Sequence, residues 1–157
     1  MKKFFLFFII NNIVFCDDSM NYIIDNIYLG DIVAASNETF LKEFNISIVI
    51  NCAIEFESIY TDIKALELKL YDSIYQNLFP KLEYAYKIIK QYPNTNILIH
   101  CIMGMSRSAS LVVFYLMKDK KWDYNTCFKF IQEKRPIAWP ADYFEFQLKD
   151  YYDFYIK

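Results

Sequence analysis

The stretch His100-Cys101-Ile102-Met103-Gly104-Met105-Ser106-Arg107-Ser108 joins two segments of opposite character. Before it, residues 97–100 are a short apolar run suited to a strand buried on both faces. After it, residues 107–118 carry no breaker and are rich in Leu, Val and Met, which predicts a buried helix. A strand, a tight loop and a helix N-terminus let successive backbone N–H groups converge on one point, where the helix dipole favours an anion. That point suits a phosphate. Gly104, one of two glycines in the chain, supplies the positive-φ freedom such a loop needs. A cysteine at the mouth of the amide nest ionises more readily, because the dipoles that bind an anion also stabilise a thiolate.

Outward from this stretch the chain alternates strand and helix signals. Residues 27–30 read as a short strand closed by the other glycine, and residues 46–53 as a β-branched strand buried on both faces. Between them, Phe40, Leu41 and Phe44 fall at helical spacing. Leu66, Leu68 and Leu70 alternate with Glu67 and Lys69, a period-two strand whose carboxyl end reaches Asp72. Pro80 opens a helix in which Leu82, Ala85, Tyr86 and Ile89 share a face, with Pro93 beyond its end. Asp123 caps a helix over residues 124–134 that Pro136 stops, and Phe144, Leu148, Tyr151 and Tyr155 form one stripe of a last helix. The pattern predicts an α/β domain with a mostly parallel central sheet flanked by helices.

Composition agrees with one compact unit. The chain has 157 residues, 55% of them hydrophobic, enough to bury a core without metal or disulfide staples. A formal charge of -2 gives no composition-level support for nucleic-acid binding. Cys16, Cys52, Cys101 and Cys127 lack the paired spacings of a zinc site, and with His100 the one histidine, histidine-rich metal sites are excluded. Lys2 and Lys3 followed by the apolar run 4–10 and by residues 13–15 resemble a signal peptide with a cut before Asp17, too short for a membrane span; the alternative is a loosely packed leader. We divide the chain into a leader, residues 1–19, and a folded domain, residues 20–157.

The chemistry-bearing residues gather around the loop. Arg107 lies six positions after Cys101, on the first helical turn, where a planar guanidinium can bond two phosphoryl oxygens at once. The Ser108 hydroxyl can stabilise sulfur as a leaving group. A thiolate attacking phosphorus also needs an acid for the departing oxygen, and Asp72 ends a strand on the same rim of the sheet. Asp62, Glu55 and Glu57 also lie in loops, but none ends a convincing strand.

Here the chain resembles the cysteine-dependent protein phosphatases, in particular their small dual-specificity branch. The segment from His100 to Ser110 is similar to that family's His-Cys, five residues, Arg-Ser signature. Ile27-Tyr28-Leu29-Gly30, Ile50-Asn51-Cys52-Ala53, an aspartate 29 positions before the cysteine, Tyr115-Leu116-Met117, Arg135 and Pro140 occur in the expected order. The resemblance implies the cysteine-phosphatase fold, Cys101 as nucleophile, Arg107 as phosphate clamp, Asp72 as general acid and then base, and Ser108 as a helper in dephosphorylation. It implies substrate binding by the backbone of Ile102, Met103, Gly104, Met105, Ser106 and Arg107, phosphorylated proteins as substrates, and no metal or organic cofactor. Ala141 departs from the family's usual Asn after Pro140, a change expected to loosen a turn without touching the chemistry.

Other readings use the same residues. Relatives acting on RNA 5′-phosphates or phosphoinositides tend to carry basic residues inside the loop, and here Ile102, Met103, Met105 and Ser106 are uncharged. A non-catalytic phosphopeptide-binding module usually lacks the cysteine or the arginine. A sulfurtransferase or arsenate reductase has no use for Asp72. His100 reads as a strand-end residue that hydrogen-bonds near the loop, and Cys127 as core packing. Cys52 is either core or a partner for a reversible disulfide with Cys101. With little chain between its elements to wall a pocket, the site is expected to be shallow, and its thiolate favours a reducing cytoplasm.

Overall fold

The computed structural model describes residues 19–157 and, ahead of them, a short backbone pairing of β1 (Ile9–Ile10) with β2 (Ile13–Val14). The rest of residues 1–18, and with them the signal-like reading, lie outside the described residues.

Five strands form the central sheet: β3 (Met20–Ile24), β4 (Ile27–Gly30), β5 (Ile46–Ala53), β6 (Lys64–Leu70) and β7 (Asn96–His100), in the order β3-β4-β7-β5-β6. All neighbouring pairs are parallel except β3 with β4. The mostly parallel sheet is therefore as expected, and β3 is a strand that the sequence reading did not find. β6 ends at Leu70, so Asp72 lies just past the strand and not on its last residue.

The sheet is covered on both faces, which explains why β5 and β7 are apolar through their middles, Ile48 to Ile50 and Ile97 to Ile99. Short helices α1 (Ile32–Ala35) and α2 (Glu38–Glu43) pack one face, where Ala34, Ala35 and Leu41 meet Ile46, Val49 and Leu98. The other face carries the main core beneath α3 (Phe79–Gln91), α4 (Arg107–Lys120), α5 (Tyr124–Lys134) and α6 (Asp142–Tyr155). α4 is buried all round from Arg107 to Met117, as its unpatterned apolar sequence requires. Asp123 caps α5 by accepting from the Thr126 amide, and α3 begins with Pro80 in its first turn. In α6, Phe144, Leu148 and Tyr151 are buried but Tyr155 is exposed, so the predicted stripe ends one turn early, where the helix runs past the core.

β7 lies at the centre, with β4 on one side and β5 on the other. Chain leaving its carboxyl end emerges between the ends of both neighbours, the usual place for a ligand in an open parallel sheet.

Candidate active site

The loop after β7 is shaped through its carbonyl oxygens. Each from Cys101 to Ser106 accepts a hydrogen bond from outside the loop's concave side. The donors are His100 Nδ1 to Cys101 (3.1 Å), the Ile32 amide to Ile102 (3.0 Å), Arg135 Nη2 to Met103 (3.0 Å) and Arg135 Nε to Gly104 (2.9 Å). The Trp139 amide bonds Met105 (2.7 Å), and the Ser110 amide bonds Ser106 (2.8 Å). A backbone whose carbonyls are all held outward turns its N–H groups inward, which makes the nest expected from the sequence. Gly104 has φ +64°, and a Cβ there would stand 2.3 Å from the Gly30 carbonyl oxygen. The two glycines of the chain thus meet, and a side chain at Gly104 would be excluded both by this contact and by the left-handed φ.

Cys101 is 3% exposed, and Ser108 Oγ donates to its Sγ at 3.2 Å. Burial alone would raise its pKa. The Ser108 hydroxyl and the amides of Ser108, Met105 and Gly104 outweigh that cost and bring the thiol below its ordinary value. Cys127, buried without such donors, is pushed up to about 12, and Cys52 is likewise raised by burial and then by the neighbouring Cys101. Among the described residues Cys52, Cys101 and Cys127 are free thiols.

Arg107 is buried, and its Nη1 bonds Glu55 Oε2 at 2.6 Å and the Leu70 carbonyl at 3.2 Å. Its burial disfavours the charge, but Glu55, the Cys101 thiolate and Asp72 together hold it protonated. Arg107 Nε stands 3.6 Å from Asp72 Oδ2, an ion-pair distance too long for a hydrogen bond, and this nitrogen is a buried donor without a hydrogen-bond partner. Such an orphan costs about 1–3 kcal/mol, which an incoming phosphoryl oxygen would relieve. Glu55, weighed above as another acid, is thus the carboxylate that orients Arg107.

Asp72 is beside the loop, its side chain 39% exposed. Tyr143 donates its hydroxyl to Asp72 Oδ1 at 2.7 Å, and Ser106 Oγ stands 3.5 Å from the same oxygen. Gln147, one turn along α6 from Tyr143, accepts from the Leu78 amide (3.1 Å) and donates to the Gln76 carbonyl (2.9 Å). The loop bearing Asp72 is therefore fastened to α6. The Ala141 amide bonds Ser106 Oγ (3.1 Å), so the departure at Ala141 lies nearer the chemistry than the sequence suggested, although through backbone alone.

His100 is a carbonyl-orienting residue: burial lowers its pKa to about 4, and Nδ1–H donates to Cys101. Arg135, Tyr143 and Gln147 were missed as site residues. Arg135 followed by Pro136 at a helix end was a usable signal, because a buried arginine after a helix must find carbonyl or carboxylate partners.

The sequence model of the family described as the dual specificity phosphatase catalytic domain matches residues 27–154. The chain belongs to that family. Similar curated proteins include tyrosine-protein phosphatase vhp-1 of Caenorhabditis elegans, 31% identical over 145 residues, 89% of this chain and 22% of the relative. Human protein phosphatase Slingshot homolog 1 is 31% identical over 137 residues, 85% of this chain and 13% of that protein. The chain thus spans less than a quarter of the length of these curated relatives. The crystal structure of human tyrosine phosphatase-like serine/threonine/tyrosine-interacting protein superposes with a TM-score of 0.79 at 25% identity, covering 89% of this chain and 99% of that one. The fold is that of the dual specificity phosphatases. No helix among the described residues is long and apolar enough to cross a membrane.

Proposed function

We propose that this domain hydrolyses phosphotyrosine and phosphoserine or phosphothreonine monoesters of proteins through a cysteinyl-phosphate intermediate. The observation that carries the reading is a Cys101 thiol, bonded by Ser108 and brought below its ordinary pKa, set against an Arg107 Nε that is buried and without a hydrogen-bond partner. In the first step the thiolate attacks phosphorus, an S–P bond forms, the P–O ester bond breaks, and protonated Asp72 gives its proton to the departing oxygen. The amides of residues 102–107 and the Arg107 guanidinium hold the equatorial oxygens as charge shifts onto them. In the second step Asp72 takes a proton from water, the water oxygen attacks phosphorus, and the S–P bond breaks. Ser108 Oγ, already donating to Sγ, stabilises the returning thiolate. Inorganic phosphate leaves. Family membership supports the class of reaction.

The catalytic unit is assigned to residues 20–157, with residues 1–19 a leader outside the chemistry, and a reducing cytoplasm suits the thiolate. Cys52 fits a core role through its complete burial; the disulfide alternative is tested by mapping the pairs formed under mild peroxide. The decisive experiment is turnover of phosphotyrosine and phosphothreonine peptides, beside phosphoinositides and 5′-triphosphate RNA, with a chelator present. Wild-type protein should act on both peptides, and Cys101→Ser should lose turnover while still binding them. Full activity in Cys101→Ser, or a strict need for divalent metal, would falsify the cysteine mechanism.

A further inference from the structure

The immediate surroundings of Cys101 are short of positive charge. The Cys101 thiol and the Glu55 and Asp72 carboxyl groups share one guanidinium, Arg107, so the centre has no surplus of cation to draw in a polyanion. The loops at this end of the sheet, residues 30–31, 54–57, 71–78, 101–106 and 135–141, continue the pattern. They carry Asp31, Glu55, Glu57 and Asp72 but no lysine, and their one arginine, Arg135, is 1% exposed, bonded to loop carbonyls and 4.0 Å from Asp31. Lys81 on α3, beside the hollow formed by Tyr71, Ser73, Tyr75 and Gln76, places its ammonium on the Lys69 carbonyl. Glu57, two residues from Glu55, is exposed, as are Glu55 and Asp72.

The same rim is apolar where it is exposed. Ile74 and Tyr75 follow Asp72 on its loop, and Tyr75 is 90% exposed. Met103 projects from the Cys101 loop, and Trp139, whose amide holds Met105, is exposed beside it. Large apolar side chains left in solvent around a site that must grip a peptide are contact surface in search of an apolar partner.

We infer that the substrate is a phosphoprotein segment whose residues beside the phosphoresidue are bulky apolar and basic, and not acidic. The inference rests on the phosphatase reading above and deepens it. Basic flanks meet Glu57 and the acidic rim, apolar flanks meet Tyr75, Ile74, Met103 and Trp139, and acidic flanks or polyphosphates face like charge.

The test uses peptides of equal length with one phosphotyrosine and neighbours of Leu and Arg, of Ala, or of Glu, each kcat/KM divided by that of phenyl phosphate with the same protein. The Leu/Arg peptide should exceed the Glu peptide by about tenfold or more, with Ala between, since like charges brought together at a rim suppress the wrong partner. Glu57→Lys should shrink the gap, as should added salt, whereas Tyr75→Ala should bring the Leu/Arg peptide toward the Ala peptide at any salt. Equal values for the three peptides, a preference for the Glu peptide, or faster turnover of phosphoinositide vesicles or 5′-triphosphate RNA than of any peptide would overturn the inference. If wild-type protein leaves phenyl phosphate untouched, the phosphatase reading itself falls, and the preference with it.

Discussion

Around Cys101 the backbone is fixed from beneath by buried groups: Gly30 against Gly104, and His100 and Arg135 on the loop carbonyls. Around Asp72 the chain is fixed from the side, by Tyr143 and Gln147 reaching from α6 to an exposed loop. The first arrangement leaves no freedom, as anion binding by backbone dipoles demands, because a nest works only if its N–H groups converge before the ligand arrives. The second leaves the acid tethered by a few hydrogen bonds, each worth about 1 kcal/mol, and open to water, as a group that must give up and regain a proton requires.

The sharpest way to break the contrast is at Gly104. Gly104→Ala puts a methyl group 2.3 Å from a carbonyl at a left-handed φ, so turnover should fall to background with every substrate, read as kcat/KM on an aryl phosphate. Retained activity would mean that the loop yields, contrary to its buried support. Asp72→Asn should cost ~10²–10⁴-fold on alkyl phosphates, whose leaving groups need a proton, and much less on activated aryl phosphates. An equal loss on both would make Asp72 structural.

Smaller effects sharpen the comparison on its flexible side. Tyr143→Phe removes one hydrogen bond to Asp72 and should lower kcat on alkyl phosphates by roughly fivefold, the equivalent of about 1 kcal/mol, with little change on aryl phosphates. A matching loss on both would place Tyr143 outside the proton step. On the rigid side, His100 has a folded pKa of about 4 against an ordinary value of 6.5, so the unfolded chain binds the extra proton between those values. Stability should therefore fall as pH drops from 7.5 to 5, with about 2 kcal/mol of the fall due to His100. Denaturant unfolding of wild type and His100→Asn at both pH values measures it, and an equal fall in the two would remove His100 as the cause.

The same contrast governs what the sequence could say. The Cys101 loop is contiguous, so strand, glycine, cysteine and arginine stand next to one another and their meeting needs no tertiary contact to be foreseen. Asp72 was recognised by its place after an alternating strand, although the strand stops at Leu70. Tyr143 reaches Asp72 and Gln147 reaches Gln76 on the same loop, each from 71 positions away, and nothing local marks Tyr143 or Gln147 beyond their i, i+4 spacing beside the apolar stripe of α6. Glu55 stood among several loop carboxylates, and only the fold brings it to Arg107. β3 escaped because its five residues, Met-Asn-Tyr-Ile-Ile, do not alternate cleanly, and as the edge strand it pairs with β4 alone.

The central claim, that phosphate is transferred to Cys101, is tested most directly by acid-quenching wild-type protein during turnover of a phosphorus-32-labelled phosphopeptide and mapping the label. The account predicts label on Cys101 as a thiophosphate ester, accumulating in Ser108→Ala and absent in Cys101→Ser. Turnover with no protein-bound label, or label on any other residue, would contradict it.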